Sequence, residues 1–406
     1  MRRSATSGSD VRAGTGGTRP VPDETPAHRR QARKRRPLRQ RPVACTVLAV
    51  LAVFLFLVSW SVGNALTVPG GGTLSERLAE WARDHDLGPL VTFGEWLSYQ
   101  SPKVGGKPAF SLAGPRISPA TAPSGRATAA WSAPPASLRS LAGRPLPGEG
   151  QWRVLGTVEG QPAIYGTYLR ASSVYSSYVA GIALLNQNLL RFVLRPGVED
   201  PGPGDWKAAP DIAAGTREGL LATFNNGFKI AQSDGGFYLN GATTGRLTGG
   251  TASVVYYRDG RVAIGVWGKT VRMTAEVVGV RQNLHLIVTH GHIPGSVDSN
   301  VETSWGATLG GGYYVWRSGI GVTATGQIVF AYGPALNVRE LAELLKRAGA
   351  VTAMQLDINP DWTSFMYYVP SHPADPTPVA LLPDQVQPAG RYYSVSGRDF
   401  TAVYSR

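Results

Sequence analysis

The chain of 406 residues contains a single cysteine, Cys45, and 27 acidic residues against 40 basic ones. Because there is no second cysteine, neither an intramolecular disulfide nor a cysteine-ligated zinc site can form. No Gly-x-Ser-x-Gly segment is present, which leaves acyl transfer without support. The glycine-rich motifs of dinucleotide-binding folds and P-loops are absent from their required strand–helix setting. The sequence therefore predicts a protein stabilised by its own core, without these two nucleotide-binding motifs.

Basic residues are concentrated at the start of the chain. Residues 1–42 contain twelve arginines and lysines and three acidic residues, so they supply +9 of the formal net charge of +13. A segment with so few apolar residues is predicted to be a disordered cytoplasmic tail. A basic arm is also compatible with nucleic-acid binding, but the apolar run that follows favours an anionic membrane surface. We therefore expect no nucleic-acid partner.

Residues 43–63 form 21 consecutive uncharged, mainly apolar residues. A helix of this length, rising about 1.5 Å per residue, spans the ~30 Å hydrocarbon core of a bilayer. Positive charge precedes the run and no charge follows it until Glu76, so the positive-inside rule predicts a single-pass protein of the cell membrane. Its N-terminus would be cytoplasmic and its C-terminal domain extracytoplasmic. A signal peptide cleaved near Ala65 is the alternative, and the length of the run favours a retained anchor.

Two segments separate this run from the main domain. Residues 64–100 are predicted to form a juxtamembrane amphipathic element, in which Thr73 and Glu76 have the spacing of a helix capping box. Such an element lies either on the membrane surface or on the outer domain. Residues 101–150 contain nine prolines and much alanine, serine and glycine, a composition typical of an extended linker. The arginine-rich, lysine-poor composition of the chain is also typical of a GC-rich bacterial genome.

Residues 151–406 are predicted to form one α+β domain that is sheet-rich and has one prominent helix. The helix is predicted at 337–348, with Asn337 and Glu340 as a capping box and Gly349 after its end. Runs of β-branched and aromatic residues, bounded by turn residues, predict strands. These runs lie at 163–169, 177–185, 189–194, 220–225, 251–257, 262–267, 284–289, 313–322, 328–332 and 351–356.

A carboxylate, Asp357, follows the last of these runs directly. Loops at the ends of strands often carry functional side chains, but an aspartate in such a position also caps turns through its own backbone. From the residues alone, catalysis and turn capping stay open as alternatives for Asp357.

Three segments resemble motifs of the phosphodiester glycosidase family. Phe224–Phe228 reads FNNGF and is similar to N-G-G-F-F, and Arg317–Val322 reads RSGIGV and is similar to R-T-A-I-G-V. Leu356-Asp357 is similar to the start of L-D-G-G-G-S-S. The resemblance covers roughly residues 151–406. After Asp357 the chain has Ile-Asn-Pro-Asp at 358–361, where the family has glycines and serine, so we expect a loop of different construction.

The resemblance implies hydrolysis of a glycosyl-1-phosphodiester. Cleavage at the anomeric carbon passes through an oxocarbenium-like transition state, and Asp357 is the carboxylate expected to stabilise or attack it. The leaving phosphodiester needs its negative charge stabilised, and Arg317 is expected to bind it because a guanidinium donates two hydrogen bonds to phosphate oxygens. Asn225, Asn226 and Gly227 would form the sugar-binding wall, although Asn-Asn-Gly is also a common turn.

Two more groups are candidates for proton transfer. Asp361 is a possible acid or base, or a ligand of a divalent cation together with Asp357 and Asn359; the spacing fails the EF-hand pattern, so no metal site and no cofactor are expected. His290 is a candidate acid or base. With His292 it is also a candidate zinc ligand, and an ordinary loop histidine is the third interpretation.

These observations predict a membrane-anchored hydrolase that cleaves a glycosyl-1-phosphodiester bond in an envelope glycan or sugar-phosphate conjugate. The alternative is a non-catalytic binder of anionic envelope glycans. A catalyst should gather Asp357, Arg317 and Asn225 around one pocket with a second ionisable group in reach, whereas a pocket without an acid or base favours binding. A metal-dependent phosphodiesterase is the weakest of the three hypotheses.

Overall fold

The computed structural model describes residues 42–67, 74–113, 134–299, 301–306, 308, 312–372 and 374–406. The predicted basic tail, apart from Pro42, and the middle of the predicted linker lie outside these residues. The chain divides into two compact units between Ser59 and Trp60.

Helix α1, Pro42–Thr67, is 26 residues long and has no buried residue. At about 1.5 Å per residue it measures roughly 39 Å, so its length and composition suit a membrane span. It begins one residue before the predicted span of 43–63 and ends four residues after it. A helix of this kind near the N-terminus is compatible with either a single-pass anchor or a signal sequence.

Two short helices, α2 (Leu74–Asp84) and α3 (Gly88–Ser98), follow in the region predicted to be amphipathic. Helix α2 ends before Gly88-Pro89, and this dipeptide begins α3. Proline is tolerated in the first turn because its missing N–H would have no partner inside the helix.

The end of the predicted linker packs on the domain. Glu149 is 4% exposed and pairs with Arg170 at 2.9 Å between Oε2 and Nη2. Leu112, which is 3% exposed, belongs to the main hydrophobic core. A proline-rich composition predicts extended backbone, but it does not reveal whether apolar and charged side chains find partners. The compact domain therefore begins before the predicted boundary at residue 151.

The largest sheet has seven strands, and all its described pairings are antiparallel. Their spatial order is β1 (Arg153–Val158), β2 (Gln161–Leu169), β3 (Ala180–Leu185), β13 (Ile328–Leu336), β12 (Val315–Thr323), β14 (Ala350–Gln355) and β11 (Leu286–Val288).

Two five-stranded antiparallel sheets complete the domain. One has the order β7 (Ala242–Thr244), β6 (Phe237–Leu239), β10 (Val277–Gln282), β8 (Ala252–Tyr257) and β9 (Val262–Val266). The other has the order β16 (Thr377–Ala380), β15 (Phe365–Val369), β5 (Leu220–Asn225), β17 (Phe400–Ser405) and β4 (Leu190–Arg195). The short helix α4 covers Glu302–Trp305.

Helix α5, Val338–Arg347, packs on strands β12, β13 and β14 of the largest sheet. Its capping box is complete, because Asn337 Oδ1 accepts from the Glu340 N–H and the Glu340 carboxylate accepts from the Asn337 N–H. Leu341, Leu344 and Leu345 are fully buried beneath it. The helix therefore lies where its capping box and the following Gly349 predicted it.

The predicted α+β class and its sheet-rich character are confirmed. Each of the ten predicted strands overlaps a strand of the structure, and 220–225 coincides with β5. The strands that were not predicted are β1, β6, β7, β10, β15, β16 and β17. Two of these, β6 and β7, have three residues each, which is too few for an alternating pattern to emerge.

Candidate active site

Strands β5, β12 and β14 bring three of the motif segments together. Asp357 lies two residues beyond the end of β14, next to Ser318 of β12. The Ser318 N–H donates to the Asp357 carbonyl at 2.8 Å, and the Asp357 N–H donates to Ser318 Oγ at 3.0 Å. Asn225, the last residue of β5, donates from Nδ2 to the same Oγ at 2.9 Å. Ser318 thus joins the Asn-Asn-Gly segment to Asp357.

The two oxygens of the Asp357 carboxylate have different partners. Oδ1 accepts hydrogen bonds from the N–H groups of Ile358 (2.7 Å) and Asn359 (2.9 Å), so it caps the following turn. Oδ2 lies 3.6 Å from Nη2 of Arg398. Burial raises the pKa of Asp357, while the Arg398 charge and the two N–H groups oppose that shift. The two alternatives open in the sequence, turn capping and a charged functional group, are therefore compatible.

The Asn-Asn-Gly segment is buried and closely packed. Asn226 Oδ1 accepts from the hydroxyl groups of Thr401 (2.8 Å) and Tyr256 (3.3 Å). Its Nδ2 is buried and has no hydrogen-bond partner among the residues that the structure describes. A Cβ on Gly227 would lie 3.0 Å from the Asn283 side chain, so only glycine fits there without displacing a neighbour. A buried side-chain donor without a partner is unusual in a folded protein.

Four charged side chains outside the predicted set complete the site. Arg281 donates from Nε to Asp399 Oδ2 at 2.9 Å, and both side chains are at most 1% exposed. Asp200 Oδ2 lies 3.6 Å from Arg281 Nη2 and 3.9 Å from Arg398 Nε. Burial raises the pKa of Asp399, and Arg281 opposes the shift. With Asp357 the cluster holds three carboxylates and two guanidiniums, so opposite charges stabilise one another where water is excluded.

These residues were missed because they lie far from Asp357 in the sequence. One signal was available: Arg398-Asp399 immediately precedes the apolar run of β17, just as Asp357 borders an apolar strand. A charged pair at the edge of a buried strand is unusual enough to mark a site.

Arg317 is placed differently from the prediction. It is fully buried, donating from Nε to the Leu336 carbonyl at 2.9 Å and from Nη1 to Gln355 Oε1 at 2.7 Å. Burial lowers its pKa to about 10. Among the described residues no hydrogen bond or ion pair joins Arg317 to Asp357, because adjacent residues of a strand face opposite sides and Ser318 takes the side of Asp357. The cation beside the carboxylate is Arg398.

His290 lies too far from Asp357 for direct proton transfer within the same site. Gly291 donates to the Val351 carbonyl at the start of β14, whereas Asp357 lies beyond the end of that strand. At about 3.3 Å per residue, the two positions are roughly 20 Å apart. His290 therefore lies outside the group of side chains around Asp357, and its role as an acid or base stays a prediction.

Asp361 contributes to the loop through its backbone. Its N–H donates to Asn359 Oδ1 at 2.9 Å, and its carbonyl accepts from Arg391 at 3.0 Å. Asn359 and Asp357 thus direct oxygens to their own loop. Among the described residues no group of three His, Cys, Asp or Glu side chains is placed to hold a metal ion.

Asp200 connects this charged cluster to open space. It lines a cavity of about 400 Å³ together with Glu199, Lys229 and Trp81. Asp357 itself is 4% exposed. Of the two side chains, Asp200 is therefore the more exposed, at 15% against 6%.

Comparison with known families bears on this same region. Residues 214–357 match the sequence model of a family described as phosphodiester glycosidase. This part of the chain is therefore similar in sequence to phosphodiester glycosidase domains. The matched range includes Asn225, Ser318 and Asp357 and ends before Arg398. No curated protein matches the chain.

Two solved structures are similar to the chain at low identity. The catalytic domain of zebrafish N-acetylglucosamine-1-phosphodiester alpha-N-acetylglucosaminidase, auto-inhibited by its pro-peptide, is 12% identical with a TM-score of 0.40; the match covers 63% of this chain and 88% of that one. A hypothetical protein from Synechocystis is 15% identical with a TM-score of 0.32, covering 63% and 64%. At these TM-scores the likenesses support no further conclusion.

Proposed function

We propose that the domain hydrolyses a glycosyl-1-phosphodiester bond at the anomeric carbon. The observation that carries this proposal is the buried Asp357 carboxylate, which lies within the family match and faces Arg398. A carboxylate so placed stabilises an oxocarbenium-like transition state or attacks it. The positive charges of Arg398 and Arg281 stabilise the negative charge of the phosphate group that leaves, which is the role first predicted for Arg317.

The reaction needs a second ionisable group to receive a proton from water. In the proposed step the water oxygen bonds to the anomeric carbon, the bond from that carbon to the phosphodiester oxygen breaks so that a phosphomonoester leaves, and a carboxylate accepts the proton. Asp200 and Asp399 are the candidate acceptors, because each has an oxygen within 4 Å of at least one of the two arginines. Because the leaving phosphomonoester is a weak base, its departure requires little protonation, so one acceptor suffices. The Nδ2 of Asn226 is suited to a sugar hydroxyl.

We place this activity outside the cytoplasmic membrane. The basic residues before α1 and the absence of charge between its apolar run and Glu76 support a cytoplasmic N-terminus and a retained anchor. Under that orientation the substrate is a glycan or sugar-phosphate conjugate of the cell envelope.

Oxygen-18 water tests the chemistry. The full chain is used, because Leu112 and Glu149 pack on the domain, and it is solubilised in detergent. It is incubated with N-acetylglucosamine 1-phosphodiesters and other sugar 1-phosphodiesters, with and without chelator. We expect label in the anomeric hydroxyl of the released sugar, and loss of turnover in Asp357→Asn. Label in the phosphate, or inhibition by chelator, would instead support a metal-dependent phosphodiesterase.

The alternative function is binding without catalysis. Two observations favour it: Asp357 is only 4% exposed, and its loop lacks the glycines of the family motif. A folded chain that binds these substrates but turns over none of them would establish the binding function and exclude the hydrolase.

A further inference from the structure

A second, open depression lies away from the carboxylate cluster. It has a volume of about 310 Å³ and is formed by β4, by the turn between β8 and β9, and by residues near Lys207. We name it the basic groove, because four cationic side chains line it. They are Arg191, Arg195, Lys207 and Arg258, and the one acidic side chain in the lining is Asp259.

Most of this positive charge has no acidic partner. Among the described residues, Arg191, Arg195 and Lys207 form no ion pair with a carboxylate. Arg258 lies 3.9 Å from Glu276, but both side chains are 69% exposed, so water screens the contact. Asp259 lies 3.7 Å from Arg261, and both side chains are more than half exposed, so water screens this contact too and one acidic group is left against four cations. The groove therefore concentrates uncompensated positive charge, which attracts an anionic ligand.

Two of the cations are held in place rather than free in solvent. Arg195 donates a hydrogen bond from Nη2 to the hydroxyl of Tyr404 in β17 at 3.2 Å. The Arg191 guanidinium lies over the same ring, 4.5 Å from its centroid. Fixing a guanidinium before the ligand arrives lowers the entropy lost on binding. A planar guanidinium also matches the geometry of a phosphate.

The groove and the candidate active site share one side chain. Tyr256 lines the groove, and its hydroxyl reaches Asn226 of the active site at 3.3 Å. The Tyr256 ring is fully buried between the two. The groove is thus close to the active site but separate from Asp357 and its charged partners.

We propose that the basic groove binds a phosphate-bearing glycan at a position distinct from the bond that is cleaved. The choice of a phosphorylated glycan as ligand rests on the proposed function, since a polymeric substrate carries phosphates beyond the one attacked. The groove holds such a chain near the active site and raises its effective concentration there.

Direct binding tests this proposal separately from catalysis. The full chain carrying Asp357→Asn, in uncharged detergent, is titrated with phosphomannan, and unphosphorylated mannan serves as the neutral ligand. The groove variant combines Lys207→Gln and Arg258→Gln. The matched control combines Lys346→Gln and Arg347→Gln, which remove the same charges from exposed positions at the end of α5.

We expect the groove variant to bind phosphomannan roughly tenfold more weakly, at about threefold for each lost cation–phosphate contact. The control should bind as the parent does, mannan should bind to neither, and added salt should weaken binding. Equal affinity of parent and groove variant for phosphomannan would overturn the proposal. Weakened binding by the groove variant, together with no hydrolysis of any 1-phosphodiester by the chain with Asp357 intact, would support the groove while removing the proposed function.

Discussion

The candidate active site and the basic groove both contain arginines, but those of the site are buried and paired with carboxylates, whereas the groove contains exposed cations without acidic partners among the described residues. In the site, Arg281 and Arg398 each lie within 4 Å of a carboxylate and are at most 8% exposed. In the groove, Arg191 and Lys207 are exposed and have no acidic partner among the described residues. A buried charge needs an opposite charge because water is excluded, whereas an exposed one is stabilised by solvent.

Arg281 and Arg398 are therefore held by the fold, whereas the cations of the groove are available to a ligand. Removing a cation from the site leaves a buried carboxylate alone, whereas removing one from the groove changes only the surface potential. The first change should affect folding and the second should affect binding.

The largest effect is expected from Arg281→Gln, which breaks the buried pair with Asp399. Loss of one partner of such a pair costs about 3–5 kcal/mol of the free energy of unfolding. Denaturant titration of the detergent-solubilised chain measures it.

The control for this prediction replaces both partners. Arg281→Met combined with Asp399→Leu should recover most of the lost stability, because no unpaired charge stays buried. If the single and double variants are equally destabilised, the pair is not the reason for the loss.

Asp357→Asn should reduce kcat on a 1-phosphodiester by a factor on the order of 10²–10³, since the charge that develops in the transition state loses its stabiliser. Asp298→Asn, at an exposed partner of Arg339, is the matched control and should leave kcat unchanged. A similar loss in both variants would point to a general effect on folding.

The pH profile follows from the raised pKa of Asp357. If the carboxylate form is active, kcat/KM should fall as the pH drops through a pKa above the ordinary value of 3.8, which burial has raised.

Stability should respond to this group in the opposite direction. Because the folded-state pKa is raised, the stabilising contribution of Asp357 is complete below its unfolded pKa of about 3.9 and is lost as the pH rises through the folded pKa. Denaturant titrations of the parent and Asp357→Asn across this range check the sign. An advantage of the parent that grows with pH would contradict it.

The smallest effect is expected in the groove. Lys207→Gln with Arg258→Gln should change the free energy of unfolding by less than about 0.5 kcal/mol, because both side chains are exposed. Denaturant titration against the parent chain measures this change. A loss comparable to that of Arg281→Gln would mean that the groove is part of the core and not a surface for ligands.

Local patterns predicted much of the fold. The capping box of α5 and the runs of β-branched and aromatic residues in β8 and β9 extend over a few residues, so the sequence displays them directly. The packing of residues 134–150 was not predictable, because it depends on Glu149 meeting Arg170, a partner that only the folded sheet supplies.

The candidate site was predictable where the motifs lie and unpredictable elsewhere. Asp357 and Asn225 were found through their segments, and the structure joins them through Ser318. Arg317 was predicted from its guanidinium and its motif, and the sequence does not say which face of β12 turns toward the carboxylate. Arg398 lies 41 residues after Asp357, and only the arrangement of strands brings the two together.

The position of β17 has a consequence for the order of events during synthesis. This strand lies between β4 and β5, both of which leave the ribosome about 175 residues earlier or more. Until β17 arrives, β4 and β5 expose unpaired backbone toward the gap that β17 will fill, and such edges pair readily with other chains. Arg398 is synthesised just before this strand, so Asp357 can pair with Arg398 only at that late stage. A ribosome stalled before residue 398 would present an aggregation-prone intermediate in which the Asp357 carboxylate has no counter-charge from Arg398.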